Sequence, residues 1–191
     1  MIITKAFRYR IYPTREQRDF LARHFGACRF VYNHFLDLRS TGYKENRRSI
    51  SGLECKRMLV PLKADSQWLK EMNSRSLQEA VLNLDRAYRG FFRGPAKYPV
   101  FRRKKDRQAF TVPRHFRIDG QLFHIPKLKT GIRMKLHRNA ATVIKKAGQG
   151  MPDIKPVEKR ASILSFKRKG KFSSVKQETR TSFEMHRIST P

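Results

Sequence analysis

Three strings of this 191-residue chain interleave cations with aromatic rings: Arg8-Tyr9-Arg10, Phe91-Phe92-Arg93, and Tyr98-Pro99-Val100-Phe101 running into Arg102-Arg103-Lys104-Lys105. Guanidinium and ammonium groups neutralise phosphate, and ring faces stack on unpaired bases, so this mixture is the chemistry of nucleic-acid contact. The plainer reading is that the rings are core and the cations solvated. We expect the rings to be mostly core. Four consecutive cations beside a core segment still imply phosphate, because such charge density otherwise repels itself.

Composition points the same way. The chain has 44 Lys plus Arg against 15 Asp plus Glu, a formal charge of +29. Each phosphate neutralised by such a surface releases counterions, which drives binding to a polyanion. Residues 101–150 carry 14 of the basic residues and 2 of the acids, so the strongest phosphate-facing surface is expected there. An anionic membrane fits less well, because there is no long apolar run and no signal-peptide h-region. With 39% hydrophobic residues and 14 Phe, the chain can bury a modest core and is not simply a basic tail.

Other chemistries lack their residues. Metal-dependent phosphodiester cleavage needs converging carboxylates, yet Asp119 belongs to a turn, and Asp85 and Glu79 flank a helical stripe where neighbouring Arg can pair them. There is no P-loop and no dinucleotide fingerprint. Cys28 and Cys55 lie far apart in apolar surroundings and are expected to be reduced, buried thiols. His24, His34, His115, His124, His137 and His186 have no ligand spacing to either cysteine, so no zinc site can be assembled.

The elements that must position these residues follow from periodicity. Residues 2–11 alternate as a half-buried strand, with Phe7, Tyr9 and Ile11 against Arg8 and Arg10. Thr14 is a plausible N-cap for a helical run over 15–40, which Gly26 is expected to bend or split. A helix-turn-helix centred there, with recognition helix Ala27 to Arg39, is conceivable, but Phe30, Val31, Tyr32, Phe35 and Leu36 make it unusually apolar. A shorter helix runs from Ser51 towards Leu62, interrupted at Pro61. Ser74 caps the clearest helix, whose stripe is Leu77, Val81, Leu84, Tyr88 and Phe91, and Gly94-Pro95 stops it. Strands follow: Phe110-Thr111-Val112, a hairpin over 116–125 with a type I′ turn at Asp119-Gly120, and Ile132–Leu136. Beyond residue 147 the pattern fades. Ile163, Leu164 and Phe166 could make one weak strand, and no element is expected after Val175.

Several strings together resemble a known family. Phe7-Arg8-Tyr9-Arg10-Ile11-Tyr12-Pro13-Thr14 with Glu16-Gln17 is similar to the opening of TnpB, the OrfB proteins of IS200/IS605 transposons. Gly26-Ala27-Cys28-Arg29-Phe30-Val31-Tyr32-Asn33 resembles the next signature, and Leu84-Asp85-Arg86-Ala87-Tyr88-Arg89-Gly90-Phe91-Phe92-Arg93 a third. Lys97-Tyr98-Pro99-Val100-Phe101-Arg102, Phe110-Thr111-Val112, Ile125-Pro126-Lys127-Leu128 and Lys135-Leu136-His137-Arg138 complete the series, over residues 1 to about 146.

The resemblance implies an α+β fold: a small oligonucleotide-binding-like (wedge) β-barrel with a helical recognition insertion and a poorly ordered basic C-terminal tail. Its divisions would be a first barrel strand at 1–14, a recognition lobe at 15–95 with a helix-turn-helix-like start, the remaining barrel strands at 96–147 and a divergent basic tail at 148–191. Such proteins hold a guide RNA and read a short target-adjacent DNA motif. Phosphate-gripping residues are then Arg8, Arg10, Arg29, Arg86, Arg93, Lys97, Arg102, Arg103, Lys104 and Lys105. Ser51, Ser74, Gln78 and Thr111 match positions near that motif, and the Gln78 amide could bind adenine bidentately. Family members continue into a RuvC-type nuclease domain and a zinc ribbon, and 148–191 does not match that continuation. The expectation is a chain without catalytic residues, whose family Mg and Zn sites lie outside it. It would bind RNA and DNA in the prokaryotic cytoplasm, at the nucleoid, with the nuclease half on a separate chain or absent. A nuclease-dead repressor, a helix-turn-helix protein that uses no RNA, and a non-functional transposon remnant remain open.

Overall fold

Alternation along the first twelve residues builds strand β1 (Ile2–Tyr12), and the computed structural model describes residues 2–135, 161–167 and 172–182 of the chain. Tyr9 and Ile11 are buried while Arg10 faces out, as period two requires. Helix α1 (Arg15–Asn46) starts from a reciprocal cap: the Gln17 amide donates to the Thr14 hydroxyl, and the Thr14 amide donates to the Gln17 side-chain oxygen. The buried Gln17 side chain also donates to the Gly131 carbonyl and the Thr130 hydroxyl, tying the start of α1 to the last hairpin strand.

Helix α1 runs unbroken through Gly26, so the run is not split there. The chain turns instead at Arg47, which takes the left-handed conformation at φ 52°. The apolar stripe explains the difference: Leu21, His24, Phe25, Cys28, Val31, Phe35 and Leu36 are all buried, and one continuous seam outweighs the propensity cost of about 1 kcal/mol for one glycine.

Helix α2 (Gly52–Asp65) is capped by Ser51 with Glu54, and it continues past Pro61, which was expected to interrupt it. A short helix α3 (Gln67–Lys70) carries the sole tryptophan, Trp68. Helix α4 (Ser74–Phe92) is capped by Asn73, one residue before the expected Ser74, its side chain accepting from the Arg75 amide. Of the expected stripe, Leu77, Val81, Leu84 and Tyr88 are buried and Phe91 is only half-buried, and α4 packs against α1 and α2.

Strands β2 (Gln108–Val112), β3 (Arg117–Asp119), β4 (Leu122–His124), β5 (Ile132–Lys135), β6 (Ala161–Lys167) and β7 (Phe172–Ser182) join β1 in one antiparallel sheet, in the order β2-β6-β7-β1-β5-β4-β3. The β3–β4 hairpin forms as expected, but its turn is not type I′. Positive φ occurs at Gly120 and not at Gln121, the pattern of a II′ turn.

Two expectations about the sheet change. The strand foreseen at Ile163, Leu164 and Phe166 is β6, but a further strand, β7, runs past Val175; β6 and β7 sit between β2 and β1, and β7 pairs with β1 from Ile2 to Ile11. The β7 run, rich in Ser, Thr and charged residues, carries little apolar signal, so its pairing is visible only in three dimensions. Among the described residues no ladder joins β2 to β3, so a closed barrel is not formed by these strands. The expected motif residues His137 and Arg138, and residues 148–160, lie outside the described residues.

Candidate nucleic-acid interface

The basic segment after α4 is held by side chains from α1 and β2. Asn33 pins Arg102 at both backbone atoms, its Nδ2 donating to the carbonyl and its Oδ1 accepting from the amide, both at 2.9 Å. The Arg102 guanidinium lies 3.7 Å from the centre of the Tyr32 ring, a cation–π contact on a half-buried side chain. Arg102 is therefore largely an anchor.

Gln108, at the start of β2, organises the rest. Its Nε2 donates to the carbonyls of Arg103 and Asp106 at 3.0 Å and of Lys104 at 3.4 Å. Its Oε1 accepts from the Arg29 guanidinium of α1 at 2.9 Å. The Asp106 carboxylate accepts from the Arg103 amide at 2.7 Å. With the carbonyls turned inward and the one local carboxylate occupied, the Arg103, Lys104 and Lys105 side chains are exposed, with no ion pair among the described residues. A preorganised loop presenting three cations can grip phosphates without an ordering cost on binding. The sequence pointed to the cations and missed Gln108. The signal was a lone amide two residues past an Asp, which periodicity does not weigh.

The other expected residues are spread differently. Arg86 is exposed on α4 but bonds Glu79 at 3.4 Å and Asn83 at 2.7 Å. Arg93 and Lys97 are exposed around the end of α4, and Arg10 is exposed on β1, where Arg8 pairs in register with Lys176. Asp85 is the pairing acid expected from sequence. It bridges Arg39 (3.4 Å) and Arg89, and it packs so tightly on Gly52 that a Cβ there would lie 2.5 Å from the carboxyl carbon.

The residues expected near a target motif each make local contacts of their own. Ser51 is spent in the α2 cap. The Ser74 hydroxyl accepts from Lys63 Nζ at 2.6 Å, and Gln78 Oε1 accepts from Arg75 at 3.4 Å. Thr111 sits mid-strand in β2, opposite Ile163. Ser74 and Gln78 lie one turn apart on α4.

The rings were expected to be mostly core, and this holds for Tyr9 and Tyr88 but not for the segment that ends α4. Phe92 is 74% exposed and Phe101 52%, with Tyr98 edge-on to Tyr88 and Phe91.

One buried titratable group sits behind the interface. His24 is fully buried with its ring centre 4.2 Å from that of Phe110, and neither nitrogen has a hydrogen-bond partner among the described residues. Burial disfavours the imidazolium and lowers its pKa to about 4. Cys28 and Cys55 are buried free thiols, and burial pushes the Cys28 thiol up to about 12. Among the described residues no group of three His, Cys, Asp or Glu could hold a metal ion, and no helix is long and apolar enough to cross a membrane.

Residues 1–48 match the family model of the IS605 OrfB proteins, described as a helix-turn-helix domain; here those residues are β1 and the whole of α1. A protein of Escherichia coli K12 named "Putative RNA-guided DNA endonuclease InsQ" is 31% identical over 144 residues, 74% of this chain and 36% of that one. A "Putative RNA-guided DNA endonuclease" of Streptomyces pristinaespiralis is 35% identical over 109 residues, 56% of this chain and 27% of its own. The chain thus spans about a third of these two relatives. The virulence protein VsdF of Salmonella dublin is 35% identical over 114 residues, 52% of this chain and 93% of that protein. Together with the ordered motifs from β1 to β5, these matches show that the chain belongs to the TnpB/OrfB family of IS200/IS605 transposons and corresponds to its N-terminal part.

Proposed function

We propose that the chain is a nucleic-acid-binding module of the transposon: it holds a guide-type RNA, approaches target-adjacent DNA, and cuts neither. The observation that carries this reading is the Arg103-Lys104-Lys105 loop, clamped by Gln108, Arg29 and Asn33 so that its cations face outward. Helices α1 to α4 serve as the recognition lobe, and the sheet serves as the wedge on which the RNA rests. Arg10, Arg93 and Lys97 extend the phosphate track, and Gln78 with Thr111 reads the DNA motif. The names of the two endonuclease relatives support both nucleic-acid partners.

The test is to express the full chain together with the transposon-end locus, purify it, and sequence the RNA that copurifies. One dominant RNA that survives about 0.5 M salt is expected. Heterogeneous RNA lost at moderate salt would sink the guide-specific reading, since a net charge of +29 attracts any phosphate. The match of residues 1–48 to a helix-turn-helix description also favours direct duplex binding. That reading gains if one DNA duplex binds tightly with no RNA present.

A further inference from the structure

Two depressions lie side by side along α1. The first, a cleft of about 720 Å³, is lined by Ala22, Phe25, Arg29, Lys104 and Lys105. Its size falls in the range of small-ligand sites, about 300–1,000 Å³, and so can admit a base with its phosphate. The second is lined by Gly26, Phe30, Trp68 and Met72. Arg23 and Arg29 line both, and so stand between them.

The second depression has a ring platform. Trp68 is 44% exposed, meets Phe30 edge-on with centres 5.3 Å apart, and Phe30 in turn stacks on His34. The platform is fixed from beneath, because Leu69 and Met72 beside Trp68 are fully buried. Gly26 opens the floor: a Cβ there would meet no atom within 4 Å, so packing does not require glycine in mid-helix.

Charge selects the occupant. Arg23, Arg29, Lys104 and Lys105 face the two depressions, against the carboxylates of Glu71 and Asp106. Glu71 is paired with Arg23 at 3.4 Å and Asp106 accepts from the Arg103 amide. A surplus of cations around apolar rings suits a strand that offers phosphates and bare base faces together. A duplex hides those faces.

We propose that this surface takes two consecutive unpaired nucleotides, one base against Trp68 and Phe30, the next in the Phe25 cleft, with the phosphate between them on Arg23 and Arg29. The proposal rests on the nucleic-acid reading above and adds that the strand is single where it crosses α1. Ala22 and Gly26 are four residues apart, about 6 Å along a helix, roughly twice the 3.4 Å step of stacked bases. The two bases are therefore splayed onto the protein rather than stacked on each other.

Trp68 is the only tryptophan, so its fluorescence reports this site alone. The full chain is titrated with labelled eight-nucleotide oligo-U, oligo-dT and a DNA duplex, following label anisotropy for binding and Trp68 emission for occupancy. Both single strands are expected to quench Trp68 and the bound duplex is not. Trp68→Ala should weaken single-strand binding roughly tenfold, with duplex binding within about twofold. Trp68→Phe should restore it. Gly26→Leu, which favours the helix and fills the second depression, should weaken single-strand binding without lowering the thermal midpoint. Stronger quenching by oligo-U assigns the strand to RNA, and stronger quenching by oligo-dT assigns it to DNA. Binding by anisotropy with unchanged Trp68 emission, and with Trp68→Ala and Gly26→Leu binding as the parent does, would overturn the site while leaving the nucleic-acid reading intact. Binding of none of the three probes would overturn that reading as well.

Discussion

The arginines of the helical lobe and the cations of the loop before β2 carry the same charge to different ends. In the helical lobe, Arg39, Arg86, Arg89 and Arg48 each meet a carboxylate. In the loop, Arg103, Lys104 and Lys105 meet none among the described residues, while the carbonyls between them are gathered by Gln108. Charge in the first region is spent within the fold, and Arg39 with Asp85 ties α1 to α4; charge in the second is left for a ligand. A count of basic residues cannot separate the two, because the separation depends on where the acids fall in space.

That contrast breaks most visibly at Asp85. Asp85→Ala leaves Arg39, whose side chain is 10% exposed, without its carboxylate, and should lower stability by about 3 kcal/mol or more. Chemical denaturation measures this, and nucleic-acid affinity of the folded fraction should change little. If affinity collapses while stability holds, the division between the two regions is wrong.

His24 gives the next effect, at the seam between α1 and β2. Its folded pKa of about 4 lies below the ordinary 6.5, so between those values the unfolded chain binds a proton that the folded chain does not. Stability from this group is complete above about pH 6.5, falls as pH drops, and is lost by up to about 3 kcal/mol near pH 4. The difference in pH dependence between the parent and His24→Phe, followed by urea denaturation from pH 7.5 to 4.5, isolates it from the carboxylates. Equal pH profiles for the two would show that His24 is not buried neutral.

The loop should respond in the opposite sense to Asp85. Replacing Arg103, Lys104 and Lys105 together by Ala should leave stability within about 0.5 kcal/mol. It should lower the slope of log affinity against log salt by roughly 2–3 and weaken binding about tenfold or more at moderate salt. An unchanged slope would mean the three cations touch no phosphate.

Gln108 offers the smallest and sharpest test. Gln108→Ala and Gln108→Glu should each weaken binding by about threefold to tenfold, since both remove the amide that gathers the loop carbonyls. Glu keeps an acceptor for Arg29, so the pair distinguishes the clamp on the loop from the Arg29 contact. Full binding by the Glu variant would place the effect at Arg29 instead.

Much of the scaffold was legible because it depends on neighbours in sequence. The Thr14 cap, the α1 seam, the α4 stripe and the alternation of β1 are three-, four- and two-residue relations. So was the pairing of Asp85 and Glu79 with arginine, which is local on one helix. What failed were places where a local rule met a tertiary demand. Gly26 and Pro61 sit inside helices whose buried faces outweigh them. Phe92 and Phe101 carry core-like side chains that the fold leaves exposed.

By itself the sequence determined the family, the helical seams and the excess of cations, because motif order, periodicity and formal charge belong to the chain alone. Only the tertiary structure decided which cations are spent and which are offered, since that turns on contacts such as Arg29 with Gln108, 79 positions apart, and Asn33 with Arg102, 69 apart. It also decided that β6 and β7 lie between β2 and β1, and that Trp68 comes to rest beside Phe30. Hydrogen bonds and ring contacts act over a few ångströms of space, and residue types along a line do not say which distant groups folding will bring within that reach.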